Sequence, residues 1–127
     1  MVTAAAPQAI ESRLHVMCTR AEGPVWNGCP ECIRVDFQIL DGPWENRIAT
    51  HRIQLLEIKF ENGRKEPSPL GDEHYQGVRR LALALGLIDN PEAPLAEIAW
   101  FEARGRTCGG LVRLVDGELR PGNFEKR

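Results

Sequence analysis

No stretch of this sequence is apolar over the roughly 18 residues that a membrane-crossing helix needs. The first ten residues lack the basic n-region and the apolar h-region of a secretory signal. Both absences point to a chain that stays in the cytoplasm, with no membrane partner. Lysine is scarce: 13 of the 16 basic residues are Arg. Aromatics make up only 6% of the chain. Three familiar catalytic signatures are missing, namely G-x-S-x-G, the P-loop and H-E-x-x-H. The three histidines, His15, His51 and His74, are far apart in sequence. A non-catalytic protein is therefore expected.

What is present describes one domain. The length of 127 residues suits a single core, and 43% hydrophobic with 27% charged residues is ordinary for a globular chain. Residues 1–11 read as a flexible tail and residues 12–127 as the domain. The net charge is −2 and the pI about 5.9, so no basic footprint announces a nucleic-acid binder. A local groove can still be basic on an acidic protein, and Arg is the side chain best suited to phosphate forks and base stacking.

Alternation marks the strands. Leu14, Val16 and Cys18 oppose Arg13, His15, Met17 and Thr19. Ile33, Val35, Phe37 and Ile39 oppose Cys32, Arg34, Asp36 and Gln38. The segment 21–28 reads as a turn, 47–58 as a third extended stretch and 61–71 as a loop. A helix is expected from Asp72, as its cap, to about Leu85, with Gly86 closing it and Val78, Leu81, Ala82 and Leu85 forming its apolar stripe. Residues 95–104 fit a short helix or a strand. Leu111–Val115 and Glu118–Phe124 flank Asp116-Gly117 as a hairpin. The resulting fold class is mainly β (α+β): a five-stranded OB-like barrel with one helix between strands 3 and 4.

Two constellations carry chemistry. Cys29-Pro30-Glu31-Cys32 has the spacing of a half zinc site, and Cys18 and Cys108, with His15 as an alternative ligand, are the candidates to complete a Zn²⁺ centre. No cofactor is otherwise required. Trp26 and Trp44 flank the best strand and are interleaved with Arg20, Arg34, Arg47 and Arg52. Arg64 and Lys65 follow in the loop. Aromatic platforms within a basic groove are how single-stranded nucleic acid is held.

Val35-Asp36-Phe37-Gln38-Ile39-Leu40-Asp41-Gly42-Pro43-Trp44-Glu45-Asn46-Arg47 resembles the strand–turn–strand signature of a family of small phage-encoded OB-like single-stranded DNA-binding proteins. Leu83-Ala84-Leu85-Gly86, Gly105-Arg106-Thr107-Cys108 and Gly122-Asn123-Phe124 are similar to that family's later elements. The resemblance implies a phage-type single-stranded DNA-binding protein of DNA replication or recombination. The alternative is a phage or mobile-element-encoded inhibitor of a host nuclease or defence complex, an anti-CRISPR-like module using Asp36, Asp41, Glu45, Glu57 and Glu61 as bait. The strand Arg13–Arg20 is the candidate edge for a dimer.

Overall fold

A computed structural model describes residues 9–26 and 28–126. Seven strands and one α-helix run in the order β1 (Ala9–Trp26), β2 (Cys29–Ile39), β3 (Ile48–Gln54), β4 (Glu57–Glu61), β5 (Arg64–Ser68), α1 (Asp72–Ala84), β6 (Thr107–Val115) and β7 (Glu118–Glu125). Two 3₁₀ turns, Leu95–Glu97 and Trp100–Ala103, occupy the segment read as helix or strand. Five strands form one antiparallel sheet in the order β3-β2-β1-β6-β7, while β4 and β5 pair only with each other. Ala9, Ile10 and Glu11, assigned to the tail from sequence, pair with Arg113, Val112 and Leu111 of β6. The rest of the expected tail, residues 1–8, lies outside the described residues.

The sheet curls because each long strand has one apolar face to bury. Leu14, Val16, Ile33, Val35, Phe37, Ile39, Ala49, Ile53, Cys108, Val112, Leu119 and Phe124 all point into one core. Four successive antiparallel pairings separate β3 from β7, so these two edge strands run parallel to each other. They face each other without hydrogen-bonded pairing. The result is a half-barrel with a seam.

The helix follows the fifth strand rather than the third, which corrects the expected order. The cause is the hairpin β4–β5 inside the segment read as loop. Its turn is Asn62-Gly63, with φ of 50° and 74°, the backbone of a two-residue type I′ turn. The cap also differs: Gly71 is the N-cap, with no side-chain hydrogen bond, and Asp72 and Glu73 lie in the first turn. There their charge complements the helix dipole. The C-terminus follows expectation. Gly86 has φ 72°, and its N–H bonds to Leu83 O (3.0 Å) while Leu87 N bonds to Ala82 O (2.9 Å), a Schellman motif. Arg106 at the entry to β6 donates through Nη1 to Leu85 O and Gly86 O, both at 3.0 Å. It thereby satisfies terminal carbonyls and ties the helix to the sheet.

The expected turn over 21–28 is mostly strand. β1 runs on to Trp26 and absorbs Gly23-Pro24 as a bulge between Glu22 and Val25, a place where Pro removes no ladder bond. The candidate dimer edge is instead the central strand of the sheet: Arg13, Leu14 and His15 pair with β6, and Leu14 to Arg20 pair with β2.

Gly110 sits at a close approach of backbones in the sheet. A Cβ there would meet Leu14 Cδ1 at 2.8 Å and Gly122 O at 3.2 Å. Backbone cannot give way as a side chain can, so Gly110→Ala is expected to destabilise the fold by about 1–3 kcal/mol through overpacking. Denaturant unfolding measures this, and an unchanged midpoint would refute the account.

Candidate nucleic-acid interface

The outer face of β2 and β3 carries the polar halves of their alternation. Arg20, Arg34 and Arg52 stand directly opposite one another across β1, β2 and β3. Like charges in that relation repel. Two carboxylates in the adjacent rows offset the repulsion. Glu22 bridges Arg20 Nε (3.1 Å) and Arg52 Nη1 (2.6 Å), and Asp36 accepts from Arg34 Nε (3.1 Å) and from Thr50 Oγ1 (2.7 Å). Three guanidiniums thus share two carboxylates.

A groove of about 820 Å³ lies along the seam between this face and the start of β7. Arg34, Arg47, Arg52 and Arg120 line it, together with Thr50 and the turn residue Gly117. Buried Leu119 and the half-buried His51 reach it from the core side. Arg47 makes no ion pair among the described residues. Arg120 pairs only loosely with Glu118, at 3.5 Å, both side chains being largely exposed. The groove therefore offers planar, permanently charged donors to an anion.

Three of the expected DNA contacts, Arg34, Arg47 and Arg52, meet in this groove, with Arg20 beside them on the same face. Arg120 was missed. Trp44 is not a stacking platform: it is 7% exposed and belongs to the core. The turn after β2, with Gly42 at φ 80°, folds the indole inward instead of leaving it on the surface. Trp26 ends β1 half-buried, its Nε1 enclosed without a hydrogen-bond partner. Arg64 and Lys65 sit on β5, in the separate hairpin. Of the five bait carboxylates, Asp36 is bonded to Arg34 and Thr50, and Asp41 accepts from Arg13 N (2.8 Å) and Arg13 Nε (3.1 Å).

The thiols do not converge. Cys18 stands opposite Asp36 and Cys32 opposite Glu22, a four-residue offset worth about 13 Å along the ladder. Cys32 Sγ contacts Glu22 O, and Cys29 lies at the turn end of β2 opposite Trp26. Cys108 is buried beside Leu14, and burial pushes its pKa up to about 12. His15 stands opposite Gln38 and Thr107. Among the described residues, no group of three or more His, Cys, Asp or Glu side chains is arranged to hold a metal ion.

His51 sits at the seam, edge-on to Phe124 with ring centroids 5.1 Å apart. Burial, reinforced by His74, lowers its pKa from 6.5 to about 4. Between these values the unfolded chain binds a proton that the folded chain refuses, so stability falls as pH drops from about 6.5 towards 4. At pH 5 the loss relative to pH 8 amounts to about 2 kcal/mol. Replacing the group with His51→Gln should remove that increment from the acid limb. Urea unfolding of both proteins at pH 8 and pH 5 tests it, and equal acid losses in the two proteins would count against the assignment.

Among the described residues, no helix is long and apolar enough to cross a membrane. Compared with protein-family models, with curated proteins and with solved structures, the chain matches none of them.

Proposed function

We propose that this protein binds single-stranded DNA along the outer face of β2 and β3, without catalysis, in the manner of the phage-encoded proteins that its Val35–Arg47 segment resembles. The observation that carries this reading is the convergence of Arg34, Arg47, Arg52 and Arg120 on one open groove. β2, the turn before β3, β3 and β7 each supply one guanidinium, against the single carboxylate of Glu118 in the lining, a clustering that neither the net charge nor any one segment of sequence reveals.

The topology supports the same reading. A three-stranded meander and a closing hairpin in one curled sheet, with the third and last of its strands parallel across a gap, are consistent with an OB-like barrel into which the β4–β5 hairpin is inserted before the helix. In that plan, oligonucleotides lie over the second and third strands and are flanked by the turns of the first and last hairpins. The groove occupies that position, with Gly117 of the last turn in its wall. Arg guanidiniums would fork the phosphates, and their planes would stack on bases.

Fluorescence anisotropy with labelled oligo-dT tests the reading. Four phosphate contacts give a slope of about −3 in log affinity against log salt, so affinity should drop about 50-fold between about 50 and about 200 mM salt. Absence of binding by folded protein at the lower salt rejects the function.

A second variant tests the role of the ion pairs. Glu22→Gln releases Arg20 and Arg52 from their shared carboxylate. Affinity for oligo-dT should rise about five- to tenfold at about 50 mM salt, the worth of one further phosphate contact. A weaker complex would show that Glu22 positions the arginines instead of competing for them.

A further inference from the structure

The arginine groove lacks an aromatic side chain other than the His51 imidazole. Base stacking is the sequence-tolerant part of single-strand binding, so a platform has to come from elsewhere on the surface. The β4–β5 hairpin provides one. No residue of Glu57–Glu61 or Arg64–Ser68 is buried, and none joins the core cluster. Yet β4 carries Phe60, which is 73% exposed. An apolar ring held out on a strand that adds nothing to the core contributes little to folding.

The ring has one basic partner on its own face. Lys65 stands across from Phe60, and its Nζ lies 5.7 Å from the ring centroid. Lys59 and Arg64 alternate onto the other face of the hairpin, where Glu66 and Glu61 stand opposite them. A base stacked on the ring would place its phosphate within reach of Lys65, as in single-strand grooves where aromatic and basic side chains alternate.

The hairpin also leaves the sheet at a suitable point. Leu55 N and Leu56 N both donate to Glu31 O, at 2.8 and 3.2 Å, and Tyr75 Oη donates to Leu55 O at 2.8 Å. The base of the hairpin is thus pinned beside the Cys32–Gln54 pair. The Arg34–Arg52 pair lies two residues further along the same ladder, about 7 Å away. A strand of DNA leaving the groove past Arg52 meets the root of the hairpin next.

We infer that Phe60 is a base-stacking platform for an unpaired nucleotide, with Lys65 holding the adjoining phosphate. The inference rests on the single-strand-binding reading above and extends the site beyond the groove. It commits the β4–β5 hairpin to nucleic acid rather than to a protein partner.

Phe60→Ala, Phe60→Leu and Phe60→Trp, each titrated with labelled oligo-dT beside the unaltered protein, test it. Loss of one stacked base lowers affinity roughly fivefold to a hundredfold for the Ala variant. The Leu variant, apolar but without a ring, should fall nearly as far. The Trp variant should retain affinity, and its indole emission should be quenched by DNA beyond any quenching in the unaltered protein. The salt slope should stay unchanged in the Leu variant, because no cation is removed. Thermal midpoints should agree to within about 2 °C, since the ring supports no core. If the unaltered protein binds and the Ala and Leu variants bind equally well, Phe60 is no platform and the groove reading stands alone. If Leu retains affinity where Ala loses it, the contact is hydrophobic rather than stacking, and the inference is overturned. If the unaltered protein does not bind, both fall together.

Discussion

The two ends of the curled sheet are held together by rings, not by a hydrogen-bonded ladder. Phe124 of β7 stacks on Phe37 of β2, with centroids 5.4 Å apart and planes 23° apart, and His51 of β3 closes edge-on at 5.1 Å. The half-barrel is drawn together at this end because the rings bury their area only when β7 comes to β3. Towards the start of β7 no such pair exists, and Pro121 has no N–H to offer a neighbouring strand, as suits an edge. The seam therefore opens from Phe124 back towards Gly117, and the groove is the part that the rings do not close. Closing the ladder completely would take the guanidiniums of Arg52 and Arg120, which both line the groove, out of water together, and that desolvation is costly.

Much of this was legible in the sequence wherever one physical signal acted alone. β2 was read from strict alternation, the helix stripe from its 3.6-residue period, and the last hairpin from Asp116-Gly117, whose φ values of 49° and 79° are those of a type I′ turn. Errors arose where two signals competed. Asn62-Gly63 carries the same hairpin signature, but Gly63, Pro67 and Pro69 in a polar stretch read as loop. Gly23-Pro24 reads as a turn, yet a long pairing partner made it a bulge in a continuing strand. Trp44 follows Gly-Pro and looked exposed, while its large apolar area drew it into the core. Alternation alone separates Cys29 from Cys32, three residues apart on one strand, and a motif reading ignores that. Arg120 was invisible for a different reason: its nearness to Arg52 exists only across the seam, between strands that no local pattern joins.

The acidic composition and the basic groove are reconciled by the same ion pairs. A row of three arginines across three strands would be unfavourable alone, and Glu22 and Asp36 make it tolerable in the free protein. Those bridges lie near the surface, where each is worth about 1 kcal/mol or less. On the proposed single-strand reading, a phosphate entering the groove would exchange one anion for another at little loss. The carboxylates would then lower affinity most for an isolated anion, because a polyanion presents several phosphates at once and would offset each broken bridge within a single encounter.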